Sequence, residues 1–236
     1  MLNVSLVIPC YNEEKNISEL LKKINLIKNI KFEIILVDDN SKTPLNAGQL
    51  KKINENIIVL RHKKNLGQSS SIYTGVLNSN CETIITMDGD LQNDPLDIIK
   101  FTESYIFKNK KIDLIQGIRI NRKDTFSKLI ASKIANYLRS FILKDNCKDS
   151  GCGFRLFKKE SFLKLPYFNH MHRFLPHLFK CHNFSVDYIN IMHNKRLYGK
   201  SNYNNILRFV SGLIDILGVI WLTRRRYRNT NYFNEK

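Results

Sequence analysis

The sequence predicts a mainly parallel, three-layer α/β domain, and three observations carry that expectation. Short apolar, β-prone runs alternate with stretches whose apolar residues recur at helical spacing. Four of these runs end in polar or glycine-bearing turns, and ligands bind outside the carboxyl ends of such strands. The 236 residues suffice for one domain with a sizeable core, or a domain plus an appendage.

In chain order, Val4 to Ile8 reads as a buried first strand closed by Pro9 and the polar turn Cys10 to Glu14. Ile17, Leu20, Leu21, Ile24 and Ile27 then mark a helix. Phe32 to Val37 forms a second strand ending in Asp38-Asp39-Asn40-Ser41, and Leu50 and Ile53 sit in a weaker helix. Ile57 to Leu60 is the third strand, followed by Arg61 to Gly67 and a helix over 69–77. Thr83 to Met87 is the fourth strand, Ile98 to Tyr105 a helix, and Leu114 to Ile118 the fifth strand. Beyond Ile120 the pattern changes: a helix over 127–143, a Gly-broken loop from Asp149 into a short strand, and a helix after His170 to Pro176. A late strand follows from Val186 to Met192, then an apolar stretch over 206–222. The turns at Pro9–Glu13, Asp38–Ser41, Arg61–Gly67 and Asp88–Asp90 are expected to converge at one lip of the sheet. No G-x-G-x-x-G follows the first strand, which argues against a dinucleotide-binding domain.

The chain is organised around the fourth strand and its exit, Thr83 to Pro95. Asp88 and Asp90 are separated by Gly89 alone, and in extended backbone such residues point to the same side. Two carboxylates at a strand's lip form a hard-oxygen site suited to Mg²⁺ or Mn²⁺, with positions left for phosphate oxygens. Gly89 is expected to let the backbone approach a ligand, and Pro95 suits the first turn of the next helix.

Composition narrows the partners. With 38 Lys and Arg against 21 Asp and Glu, the formal charge is +17, which favours anions: nucleotides, lipid phosphates, a membrane surface or nucleic acid. The 5 cysteines are scattered without a C-x-x-C pair, pointing to reduced thiols in a cytoplasmic setting. The apolar run after Met1 stops after about six residues and lacks a basic leader, so it reads as a strand and not a signal peptide.

Five segments in order, Val7-Ile-Pro-Cys-Tyr-Asn-Glu13, Val37-Asp-Asp-Asn-Ser41, Asn65-Leu-Gly-Gln68, Met87-Asp-Gly-Asp-Leu-Gln92 and Asp149-Ser-Gly-Cys-Gly-Phe-Arg155, resemble family 2 glycosyltransferases. The likeness is strongest to polyprenyl-phosphate sugar transferases of the dolichyl-phosphate mannosyltransferase type, and it covers roughly residues 1 to 222. The resemblance implies a GT-A fold, a nucleotide-sugar donor (UDP-, GDP- or dTDP-linked), a divalent metal and inversion at the anomeric carbon. It places Pro9, Tyr11, Asn12, Glu13 and Asp38 at the nucleoside. Gly67 and Gln68 open a helix whose positive end faces the diphosphate. Asp88, Asp90 and Gln92 are the metal site, and Asp90 joins Asp149 and Arg155 as catalytic candidates. Arg173, Arg196, Lys200 and Ser201 resemble positions that close over the diphosphate or receive an acceptor phosphate.

The acceptor decides which groups the reaction needs. A lipid monophosphate is anionic near pH 7, its second pKa being about 6, so cation clamps matter more than a base. A hydroxyl acceptor, as on a polysaccharide or lipopolysaccharide precursor, requires a base, and Asp149 is the candidate. A nucleic-acid-binding module is the rival from another class. Its cations are not interleaved with stacking aromatics on one face, and an acidic pair repels phosphate unless metal intervenes.

The expected division is a catalytic domain over 1–203 and a C-terminal apolar helix with a basic tail over 204–236. Phe209 to Leu222 is only 14 residues and contains Asp215, against the ~20 apolar residues a spanning helix needs. It reads as an interfacial or re-entrant amphipathic helix, with Trp221 at the headgroups and Arg224, Arg225, Arg226 and Arg228 on anionic lipid. At about 1 kcal/mol per surface cation, such a segment holds a protein peripherally on the inner face of a membrane. A homo-oligomer is compatible with the sequence.

Overall fold

The computed structural model describes residues 2–120, 139–194 and 205–225, with main chain alone for 205–211. They form two compact units, Met1–Ser201 and Asn202–Lys236.

The first unit is built on a seven-stranded sheet: β1 (Leu2–Cys10), β2 (Ile30–Asp38), β3 (Ile57–Arg61), β4 (Thr83–Thr86), β5 (Leu114–Ile120), β6 (Arg155–Lys158) and β7 (Val186–Met192). Their spatial order is β3-β2-β1-β4-β6-β5-β7. β1 pairs parallel with β2 and β4, β2 with β3, and β5 with β7. Only β6 runs the other way, antiparallel to both β4 and β5. Six strands therefore present their carboxyl ends at one lip, and β6 presents its amino end there, opening with Arg155 opposite Thr86.

β1 is buried almost throughout because both of its faces are covered, the condition that makes a parallel strand read as a continuous apolar run. One face packs on α1 (Glu14–Ile24) and α4 (Ile98–Phe107), where Leu6 and Ile8 share a core with Ile17, Leu20, Leu21, Phe101 and Tyr105. The other face carries α3 (Gln68–Leu77), whose Gly75 lies so close to Val7 and Val37 that a β-carbon would strike Val7.

Two helices are shorter than their apolar spacing predicts. α1 ends at Ile24, and Ile27 is buried in the irregular chain beyond it. α2 (Ala47–Lys51) ends before Ile53, whose carbonyl accepts from Asn25 Nδ2 at 2.8 Å. Asn25 in turn accepts from Asn54 Nδ2 at 2.7 Å, so side-chain amides replace the next helical bonds. Of the helix expected over 127–143, residues 139–143 are helical and the rest lie outside the described residues. Among the described residues, Lys159–Leu163 and Leu175–Cys181 are further short helices of the unit.

The second unit holds one 20-residue helix, Asn205–Arg224. Leu213, Ile214, Leu217 and Trp221 on it are exposed, and the Arg225 guanidinium lies 5.5 Å from the Trp221 ring centroid. Among the described residues no helix is long and apolar enough to cross a membrane.

Candidate active site

The lip gathers the expected turns. Asp39 N donates to Cys10 O at 2.8 Å and His62 N to Asp38 O at 2.9 Å, stitching the ends of β1, β2 and β3 together. Asn12, held at φ 56°, receives Lys42 N on Oδ1 at 2.9 Å and donates its own N–H to Ser41 Oγ at 2.8 Å. Its amide oxygen thus ties two loops. Glu13 precedes α1 and accepts from Asn16 Nδ2, while Tyr11 leaves 39% of its surface exposed at the mouth beyond Pro9. Asp38 is buried: Oδ1 accepts from Ser41 N at 2.9 Å, and Oδ2 lies 3.4 Å from Arg61 Nη1 without making a hydrogen bond. That oxygen is thus held by the Arg61 charge and by no hydrogen bond.

The acidic pair does not sit on an extended strand. β4 stops at Thr86, and Asp90 lies in a turn completed by Leu91 at φ 60°. There Asp90 Oδ1 accepts from Gln92 N at 3.1 Å. Gly89, expected to admit a ligand, packs instead on the protein, where a β-carbon would lie 3.0 Å from Ile17 Cδ1. Asp88 is enclosed. Burial, and then the Asp90 charge, push its carboxyl up to about 6, against the pull of Arg119, Arg155 and a 2.8 Å hydrogen bond from Gln68 Nε2. Gly153, in the loop that leads into β6, covers the carboxyl, and a β-carbon there would fall 2.6 Å from Oδ2.

Two arginines stand behind Asp88. Arg119 grips Asp149 with Nε on Oδ2 and Nη2 on Oδ1, both at 2.7 Å, and its main-chain N donates to Oδ2 at 3.1 Å. The carboxylate raises the Arg119 pKa despite burial. Arg155 is fully buried, with Nε on Gln116 Oε1 at 2.6 Å and Nη2 on Ser150 O at 3.1 Å and His172 O at 2.9 Å. Its Nη1 has no hydrogen-bond partner, and burial lowers its pKa. Nε and Nη2 of Arg155, expected as a catalytic candidate, thus brace the loops that frame Asp88. Gln116 Nε2 adds a bond to Cys152 O at 3.1 Å. Sequence reasoning passed over Gln116 and Arg119, which carry no motif of their own.

The remaining candidates divide. His172 meets Ser69 Oγ through Nδ1 at 2.7 Å, which brings Arg173, in the turn Met171–Arg173, to the start of α3. Gln92 O accepts from Asn194 N at 2.7 Å, fastening the acidic loop to the end of β7. Arg196, Lys200 and Ser201 lie outside the described residues. Gly67, at φ 86°, opens α3, but its N–H and that of Leu66 are both taken by Asp39. What α3 offers a phosphate therefore begins at Gln68.

A divalent cation fits this donor set. Asp88 and Asp90 supply hard oxygens in a cradle too tight for a β-carbon at residue 153, and a cation would relieve the repulsion that raises Asp88. Among the described residues no group of three or more His, Cys, Asp or Glu side chains gathers around one point. Two carboxylates leave most of a cation's positions for oxygens of a ligand.

A mainly parallel seven-stranded sheet with an acidic pair at its carboxyl lip is the architecture of the GT-A class of sugar transferase. The Glycosyl transferase family 2 model matches residues 5–165, and the chain belongs to that family. It is a glycosyltransferase. Dodecaprenyl-phosphate galacturonate synthase of Rhizobium johnstonii is 30% identical over 241 residues, covering 98% of this chain and 70% of the relative. Undecaprenyl-phosphate 4-deoxy-4-formamido-L-arabinose transferase of Pectobacterium carotovorum subsp. carotovorum is 29% identical, covering 95% and 69%. Among solved structures, glucosyl-3-phosphoglycerate synthase from Mycobacterium tuberculosis with Mg²⁺ and UDP gives a TM-score of 0.67 at 14% identity, covering 92% of this chain and 79% of that one. The same enzyme with Mn²⁺, UDP and glucosyl-3-phosphoglycerate gives 0.68 at 14% identity, covering 92% and 80%.

Proposed function

We propose that the protein is a divalent-metal-dependent, inverting transferase that moves a sugar from a nucleotide-sugar to a polyprenyl phosphate at the cytoplasmic face of a membrane. The observation that carries the choice of acceptor is the state of Asp149. A hydroxyl acceptor needs a base, and the one candidate carboxylate has both oxygens gripped by Arg119 at 2.7 Å. A carboxylate with both oxygens committed to a guanidinium is poorly placed to accept from an acceptor hydroxyl. A phosphate monoester makes no such demand, because its oxygen is already charged near pH 7. Relatives named for dodecaprenyl and undecaprenyl phosphate support the same acceptor.

In this reading Tyr11 and Asp38 receive the nucleoside, and Asp88 and Asp90 hold Mg²⁺ or Mn²⁺ against the diphosphate. The bound cation would offset the charge that develops on the departing nucleoside diphosphate. Gln68 holds the Asp88 carboxyl in place, and Arg155 with Gln116 holds the loop that roofs it. UDP is the first nucleotide to test, given its presence in the structural neighbours. The exposed apolar residues of the C-terminal helix, next to Arg224 and Arg225, support peripheral attachment to an anionic surface.

The test is nucleoside-diphosphate release from UDP-, GDP- and dTDP-sugars with Mn²⁺ or Mg²⁺, with and without a short polyprenyl phosphate. Release that requires the lipid phosphate, vanishes in Asp90→Ala and survives in Asp149→Asn is the expected result. Release stimulated only by a hydroxyl acceptor and lost in Asp149→Asn would move the acceptor to a hydroxyl.

A further inference from the structure

Two aspartates stand side by side at the end of β2, and their surroundings give them different work. Asp38 keeps an oxygen without a hydrogen bond. Asp39, also buried, is committed on both oxygens: Oδ1 to Leu66 N at 2.8 Å and His62 Nδ1 at 2.7 Å, Oδ2 to Gly67 N at 2.8 Å. Its main-chain oxygen accepts from Asn65 Nδ2 at 3.1 Å. The segment so held, Asn65-Leu66-Gly67, delivers the chain into α3, and the first residue of α3 is Gln68, whose Nε2 touches Asp88 Oδ1.

We infer that His62 and Asp39 form a positioning pair for donor binding, acting through the Leu66–Gly67 main chain on Gln68 and thereby on Asp88. A carboxylate only accepts, so His62 Nδ1 is the donor to Asp39, and Nε2 lies 3.0 Å from the Thr74 hydroxyl on α3. The imidazole therefore spans from the end of β2 to the second turn of the helix. Asp39 would otherwise hold two adjacent amides with nothing fixing its own plane. Gly67 needs that fixing, because its φ of 86° belongs to a region where few restraints beyond hydrogen bonds define the chain. A loose Gly67 displaces Gln68 by the same motion, and a carboxyl that loses its orienting partner loses affinity for what it binds. His62 touches neither Asp88 nor Asp90 in any of its hydrogen bonds, so its effect is indirect.

The inference rests on reading Asp88 as part of the donor site, and the test separates the two claims. His62→Asn places an amide nitrogen near the position of Nδ1 and keeps the bond to Asp39. His62→Gln reaches the position of Nε2 and keeps only Thr74. His62→Ala keeps neither. In the metal-free, ligand-free protein, exchange of the Leu66 and Gly67 amide hydrogens is expected to quicken at least about tenfold in Ala and Gln and to stay near parental in Asn. In turnover, the donor KM is expected to rise about tenfold in Ala and Gln, with Asn within about threefold of the parent, while kcat and the acceptor KM hold. Unchanged exchange in all three variants overturns the pair. Rescue by Gln and not by Asn overturns it too, and assigns the ring to Thr74. If the parent turns over and the donor KM does not follow the exchange pattern, the positioning role falls while glycosyl transfer stands. A parent inert toward every nucleotide-sugar overturns the role in donor binding together with the proposed function, and the exchange pattern still decides the local coupling.

Discussion

Gly153 is the residue on which the acidic site closes, since a β-carbon there would sit within 2.6 Å of Asp88 Oδ2. Asp88 has little room to retreat, because Gln68, Arg119 and the buried Arg155 define its surroundings. Gly153→Ala is therefore expected to reduce metal-dependent turnover roughly 10–100-fold, the usual cost of disturbing a group that orients a metal ligand. Gly151→Ala, whose β-carbon meets Arg119 Nη2 at 3.3 Å and Asp149 Oδ1 at 3.9 Å, is expected to lose less. Steady-state rates at saturating donor, with far-ultraviolet circular dichroism to confirm folding, distinguish the two; equal losses would deny Gly153 its special place. At this scale the acidic pair, Asp38 and Gln68 were legible because each stands in a short polar motif at the end of an apolar run. His62, Gln116 and Arg119 were not, since their partners Asp39, Arg155 and Asp149 lie 23, 39 and 30 residues away along the chain. Nothing in a local pattern announces a contact made at that distance.

At the scale of elements, all seven strands could be read from apolar runs, yet the place of β6 could not. Four residues, Arg155–Lys158, insert antiparallel between β4 and β5, an order set by long-range pairing. That insertion brings the Asp149–Gly153 loop back over Asp88, so the part of the topology hidden from the sequence is the part that roofs the site. The C-terminal helix makes its own prediction. Leu213, Ile214, Leu217 and Trp221 recur at spacings that place them along one side of the helix, and Arg225 stacks on the indole. Trp221 is the chain's single tryptophan, so its emission reports on this helix alone. Vesicles containing phosphatidylglycerol are expected to shift that emission to shorter wavelength, neutral vesicles much less. Leu217→Asp should weaken the partition about tenfold or more, and raised salt should weaken it further. An emission spectrum indifferent to vesicle charge would leave the helix as an ordinary packed element.

For the whole catalytic unit, binding at the lip must appear as stability, because a ligand that binds only the folded chain shifts the unfolding equilibrium. At a hundredfold excess over Kd the gain is about 2.7 kcal/mol. For a domain of this size that corresponds to a rise of roughly 5–10 °C in melting temperature. UDP with Mn²⁺ is expected to give such a rise, either alone much less, and Asp90→Ala almost none. The effect should also depend on pH with a definite sign. The Asp88 carboxyl titrates near 6 in the fold, raised by burial and by Asp90, against an ordinary value of 3.8. Between those values the folded chain holds more protons than the unfolded one, so this group makes the ligand-free protein more stable as pH falls from about 6 toward 4. A cation needs the ionised form, so its apparent affinity should drop up to about tenfold for each pH unit below about 6. The metal-dependent shift is thus expected to shrink between pH 7.5 and 5 as the apparent affinity falls. Asp88→Asn should abolish the shift and flatten the pH dependence of the ligand-free protein. A full shift at pH 5, or one that survives in Asp90→Ala, would mean that the nucleotide is held elsewhere than against this pair of carboxylates.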